Sequence, residues 1–317
     1  MKYGLNHYIG LIVHYLFFML FFEIISKIID NQEKINLLII NTINSAFILS
    51  ILSINIYILS KLNLDFINYI NTNFLKIQFY DRASGISMNP NILAIYLIMN
   101  LFLLLGFKED RQNSLNFDLI YYLKLLISSI SLFLTYSRGI ITTLIFSLPF
   151  LLKKKFIRII YLIPIFICID SKWIDRVINS FDLGNRLIST RLFIWEKSLK
   201  IIFNNPFGVG ILNFEEYYKK YNYENFILIP HAHNWYLQTM TESGIIGTFL
   251  IFSIFFYIIY YLFKNLDKKQ YYLPLSLVAF SIFNLTDYTF WDIRIKFLLT
   301  IIVFIGFYKS NKTMINR

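Results

Sequence analysis

His231 and His233 stand one residue apart, after Pro230 and before a long apolar run that opens at Trp235. Histidine is the side chain whose unperturbed pKa lies nearest neutrality, so either residue suits proton transfer. Asn234 is a good helix N-cap, which predicts a helix from Trp235 onward. On a wheel extended back to His233, Leu237, Met240 and Gly244 share its face and Glu242 points away. Glu242 is therefore expected to cap, orient or bind something other than His233. The same residues would also suit a polar loop entering a membrane helix, with His and Trp at the interface.

Arginine is the other chemistry-bearing type. Arg82 ends a polar stretch before Asn89-Pro90-Asn91, Arg138 sits between Ser137 and Gly139, and Arg186 and Arg191 open an amphipathic segment. The guanidinium stays charged and its fork matches phosphate oxygens two at a time. A lipid-linked pyrophosphate already carries a good leaving group. Arginines to hold the departing charge and one base for the attacking hydroxyl suffice for such a donor. No GxxxxGK loop or HExxH is present, which argues against ATP-driven work and that zinc motif. His231, His233 and Glu242 lack typical metal-ligand spacing, so no metal and no cofactor are expected.

The elements that position these residues are membrane-type. The chain has 317 residues, 57% hydrophobic, 19% aromatic and 15% charged, against roughly 25% charged for a soluble domain. Apolar runs of span length recur, so the fold class expected is an all-α, polytopic transmembrane helical bundle. The net charge of +11 belongs to loops, and no basic helix with interleaved aromatics stands apart, which excludes a nucleic-acid partner. The single cysteine, Cys168, excludes an internal disulfide.

Spans are expected near 8–29, 37–59, 92–107, up to 135, 139–152, 159–169, 235–263, 271–285 and 295–308, about nine in all. The first is read as a retained span rather than a signal peptide, and its Glu23 as paired with Lys27. The positive-inside rule applied to Lys153, Lys154, Lys155 and Arg158 fixes the orientation. Residues 1–170 form an N-terminal bundle, 171–233 a large external loop, and 234–317 a C-terminal bundle. Counting spans outward from the basic cluster brings Arg82, Arg138, Arg191 and His233 to one outer face. Within the loop, Leu192, Trp195, Leu199 and Ile202 follow helical spacing, which predicts an amphipathic helix that Asn205-Pro206 ends.

Three patches resemble the O-antigen ligase and O-antigen polymerase superfamily of bacterial membrane glycosyltransferases. They are Arg82 to Asn91, Ser137-Arg138-Gly139, and the run from Arg191 through Trp195, Asn205-Pro206, Gly208 and Gly210 to His233-Asn234, Leu237, Glu242, Gly244 and Gly247. Together they cover roughly residues 80–260. Members commonly carry more spans than are expected here. The resemblance implies a multi-pass protein of the bacterial inner membrane with its site facing the periplasm. It implies an undecaprenyl-pyrophosphate-linked glycan donor and metal-independent, inverting transfer to a lipid A core or another lipid-linked repeat. The catalytic role maps onto His233, with Glu242 beside it. Substrate binding maps onto Arg138 and Arg191, with Arg82, Arg186 and His231 as further candidates. A flippase of lipid-linked glycan and an inactive truncated member are the alternatives.

Overall fold

A computed structural model describes residues 5–62, 81–87, 89–109, 115–151, 171–178, 186–221 and 229–315. These residues form eleven α-helices and two short 3-10 turns, with no strand among them. The helices are α1 (Leu5–Ile28), α2 (Gln32–Lys61), α3 (Pro90–Glu109), α4 (Leu115–Leu134), α5 (Arg138–Leu151), α6 (Ser171–Ile178), α7 (Arg186–Asn204), α8 (Phe214–Tyr221), α9 (Trp235–Asn265), α10 (Tyr272–Phe283) and α11 (Ile293–Ile315). The protein is an all-α membrane protein, as its sequence predicts. Among the described residues, Gln32–Lys61, Pro90–Phe107 and Trp235–Asn265 are long and apolar enough to cross a bilayer, and two shorter apolar helices accompany them. The basic cluster Lys153–Arg158 and the expected span at 159–169 lie outside the described residues.

Local chemistry sets the helix starts. Asn31 caps α2 by accepting from the Lys34 N–H at 2.9 Å. Pro90 opens α3 at the one helical position where a missing N–H costs nothing, and the Asn89 carboxamide accepts from the Asn91 N–H at 2.8 Å. Helix α3 forms the centre of the bundle. Its residues from Ile92 to Phe107 are almost continuously buried, the pattern of a helix apolar on all sides and packed on all sides. Helix α10 lies along α3 and α5. Gly106 permits that approach, because a Cβ there would fall 1.7 Å from the Tyr272 ring. Helices α2 and α4 meet through small hydroxyl residues, with Ser53 and Ser131 hydrogen-bonded at 2.6 Å, a close-packing device common between membrane helices.

Helix α4 begins at Leu115 and ends at Leu134, where the span expected up to 135 closes. The described residues of 171–233 include three helices, α6 to α8, and α7 is the amphipathic helix that the spacing from Leu192 to Ile202 predicts. Helix α9 is not straight: Gly244 has φ 71° and ψ 178° and divides it into an upper and a lower part.

Candidate functional site

The histidine loop is held through both backbone groups of one residue. The Ala232 N–H donates to Gln238 Oε1 at 2.7 Å, and the Ala232 carbonyl accepts from Trp195 Nε1 at 3.0 Å. Gln238 is buried on the first turn of α9, and Trp195 stands on α7. His233 then adopts a left-handed conformation, φ 49°, uncommon for a residue with a Cβ. This turn removes His233 from the α9 wheel, so the face it was expected to share with Leu237 and Met240 is not its own. Asn234 caps α9 as expected, accepting from the Leu237 N–H at 3.0 Å. Its amide donates to the Leu285 carbonyl at 2.8 Å, and the Trp235 N–H donates to the Asn284 carbonyl at 3.0 Å. The loop is thereby docked on the connection between α10 and α11.

That connection supplies Asp287. Its Oδ1 lies 3.5 Å from His233 Nδ1, long for a hydrogen bond but close for a charge pair. The same oxygen accepts the Tyr288 N–H at 2.8 Å, and Oδ2 accepts from the Asn91 amide. Arg82 completes the line. Its Nη2 donates to Asn91 Oδ1 at 2.8 Å and its Nε to the Thr135 carbonyl at 2.7 Å. Arg82, Asn91, Asp287 and His233 thus form one polar path from the end of α4 to the histidine loop.

Burial alone would push the Asp287 carboxyl up. The close contact with His233 and the charges of Arg191, His233 and His231 outweigh it and hold the group at about 2. His231 moves the other way in charge: burial first, then His233 and Arg191, bring its pKa down to about 4 against the pull of Asp287. His231 is therefore neutral at pH 7. Its Nδ1 faces the His233 N–H at 3.3 Å, and the two rings meet edge to face at 4.2 Å.

Arg191 lies one helical turn before Trp195, so the Trp195–Ala232 bond carries it over the histidine loop. Its charge acts on both His231 and Asp287. Arg138 is the first residue of α5, beside Gly139, whose contact with Phe283 brings that helix start to the end of α10. Glu242 is buried on α9, accepting from the Leu212 N–H at 2.9 Å and from Gln238 Nε2 at 2.8 Å. It reaches the histidine loop through Gln238. The side chain of Arg186 lies outside the described residues.

His231, His233 and Asp287 each turn one ligand atom to within 4.8 Å of the others, close enough to hold a cation. The Arg191 charge acts on the same groups, however, and a divalent ion beside it would meet like-charge repulsion. A cluster of this composition, with Arg191 over it, suits an anion that brings a hydroxyl or a leaving group to a base.

Residues 123–252 match the family model for O-antigen ligase. This segment is similar to the O-antigen ligase family, and the match supports a function of the O-antigen ligase type at the family level. No match was found among curated proteins. The O-antigen ligase segment contains Arg138, Arg191, His231, His233 and Glu242, whereas Arg82, Asn91 and Asp287 reach the same site from outside it. Asp287 is the member that the sequence patterns did not bring to the site. The signal for it was present: an ionisable residue in the short gap between two apolar helices is a functional candidate by default.

Proposed function

We propose that the chain is a glycosyltransferase that moves an oligosaccharide from undecaprenyl pyrophosphate onto an acceptor sugar at the outer face of the inner membrane. The acceptor is a lipid A core or another lipid-linked repeat. The observation that carries this reading is the His233–Asp287 pair under the charge of Arg191. Asp287 faces Nδ1, whose atom is buried, so a proton held there leaves Nε2 as the free base. Nε2 takes the proton of the acceptor hydroxyl as its oxygen bonds to the anomeric carbon. The bond from that carbon to the pyrophosphate oxygen breaks on the opposite face, and the configuration inverts. Arg191 and Arg138 hold the departing pyrophosphate, with Arg186 as a further contact, and no metal enters the step. Arg82 acts through Asn91 on Asp287 and is a positioning residue in this scheme. Glu242 does the same for the loop through Gln238, in place of the direct catalytic role expected for it.

The test is reconstitution of the full chain in vesicles with purified undecaprenyl-pyrophosphate-linked oligosaccharide and either acceptor, in the presence of a chelator. Formation of a new glycosidic bond with release of undecaprenyl pyrophosphate supports the proposal. Movement of the donor across the bilayer without bond formation identifies a flippase instead. Absence of both activities from folded protein sinks the reading.

A further inference from the structure

Helix α7 has three sides. Ile194, Ser198, Ile201 and Ile202 are buried. Glu196 and Lys200 pair at 2.7 Å on the side toward water. Between water and core runs a stripe of apolar residues that no described residue covers, Leu192, Leu199 and Phe203, spaced by seven and four and so on one line of the helix. Phe203 is 79% exposed, and Phe207, just past the helix end, is 83% exposed.

The position of Phe207 relative to α9 gives this stripe a partner. The Pro206 carbonyl accepts from the Ile245 N–H at 2.9 Å, and the Val209 and Gly210 N–H groups donate to the Thr241 and Glu242 carbonyls at 2.9 and 3.0 Å. The Phe207 backbone is so close to Gly244 that a Cβ on that glycine would fall 2.3 Å from it. Phe207 is therefore fixed at the level of Ile245 and Ile246, the first residues of the exposed apolar face of α9. From Ile245 to Lys264 that face spans about 28 Å at 1.5 Å per residue, which fills the roughly 30 Å hydrocarbon core of a bilayer. Tyr257 and Tyr260 lie near its far end, before Lys264, as interfacial aromatics do. The outer hydrocarbon boundary thus falls at the Gly244 kink, and Phe207 stands on it.

We infer that Phe203 and Phe207 dip into the acyl chains of the outer leaflet, with α7 riding along the interface above them. The partner is the lipid surface itself. The loop 205–212 then ties the histidine loop to a fixed depth, because the same segment meets Glu242, Glu242 meets Gln238, and Gln238 holds Ala232. This inference rests on the seating of α9 in the bilayer and not on the chemistry proposed above, so the two fail separately.

The test uses the full chain in phosphatidylethanolamine–phosphatidylglycerol vesicles, with Cys168→Ser as background. Nitroxides are attached singly through Phe203→Cys, Phe207→Cys, Ile246→Cys and Lys220→Cys. Collision with oxygen, which concentrates in hydrocarbon, should exceed collision with a polar nickel reagent several-fold more at 203 and 207 than at 220, and the value at 207 should approach that at 246. Values at 203 and 207 equal to that at 220 would overturn the inference. Dipolar broadening at 207 that disappears on dilution with unlabelled chain would also overturn it, since a second copy would then cover the stripe. Both positions are exposed, so the substitutions leave the packing of the chain intact, and protease resistance equal to the parent's verifies this.

Discussion

Trp195 and Ala232 are joined by one hydrogen bond, indole Nε1 to carbonyl at 3.0 Å, and that bond couples the arginine-bearing helix to the histidine loop. The loop carbonyl is contacted from α7 while its amide is contacted from α9, so His233 and Arg191 keep a fixed relation only while both bonds hold. Trp195→Phe keeps most of the aromatic bulk and removes the donor. The expected cost in stability is about 1 kcal/mol, seen as a small fall in the thermal midpoint. The expected cost in transfer is larger, since a misplaced group far from the reacting atoms can lose on the order of 10² in rate. A variant that loses stability alone, with full activity, would show that the bond does not position the site.

Gly244 and Gly208 meet backbone to backbone, both at positive φ, and a Cβ on Gly208 would fall 2.4 Å from the Gly244 nitrogen. Gly244→Ala and Gly208→Ala should each destabilise the protein by on the order of 1–3 kcal/mol through backbone strain alone, and by more through the collision. The double variant should cost less than the sum, because one separation of the 205–212 loop from α9 relieves both clashes. Thermal unfolding in nanodiscs reads this directly, and strict additivity would mean that the two glycines do not share one constraint.

The bundle was legible in the sequence because its signals are local. Asn234 starts the helix that its chemistry predicts, and Asn205-Pro206 ends α7 where expected. Of the residues named in the sequence, His231, His233 and Arg191 act on one another and on Asp287 in the fold. The wiring of the site was not legible. Asp287 meets His233 and Asn91 only because α10 folds back along α3, and no periodicity encodes a pairing between residues so far apart in the chain. The wheel gave the direction of Glu242, away from His233, but its partners, Leu212 and Gln238, lie beyond what a wheel encodes.

Acidification should weaken the fold in a defined window. His231 has a folded pKa of about 4 against about 6.5 for a free imidazole. Between these values the unfolded chain binds more protons than the folded one, so stability falls as pH drops from 6.5 toward 4 and levels off below. The amplitude is on the order of 3 kcal/mol. Asp287 contributes in a lower window, below about 4, because its folded pKa is depressed to about 2. His231→Gln should flatten the upper window and leave the lower one. An unchanged slope between pH 6.5 and 4 in that variant would show that His231 is not the group that titrates.

Arg191→Lys and Arg138→Lys test recognition of the donor. Lysine keeps the charge and loses the two-pronged geometry. Neither variant should restore activity, and each should lose on the order of 2–4 kcal/mol of transition-state stabilisation, read from kcat/KM with purified donor. Wild-type rates in either lysine variant would mean that the arginine acts only as a charge toward lipid headgroups.

His233→Ala and Asp287→Asn are to be read together, because the mechanism gives them different signatures. Removing the base should lower the rate roughly 10²–10⁴-fold, while donor binding survives because the arginines carry it. Asp287→Asn removes the partner that fixes the Nδ1 proton but leaves Nε2 able to act. Its cost should be smaller, on the order of 10² in kcat, with the KM for donor nearly unchanged. Asn91→Ala removes the amide that holds Asp287 and should follow Asp287→Asn in direction with a smaller amplitude. The double variant His233→Ala with Asp287→Asn should be no slower than His233→Ala alone, since a residue that orients a base has nothing to orient once the base is gone. Rates from single-turnover assays and donor affinities from equilibrium binding separate these outcomes. If the double variant is slower than His233→Ala by the full factor seen for Asp287→Asn, the two act independently and Asp287 contacts the reacting groups itself. If donor binding disappears with His233→Ala, the histidine is a ligand of the pyrophosphate, and the base must be sought in Asp287.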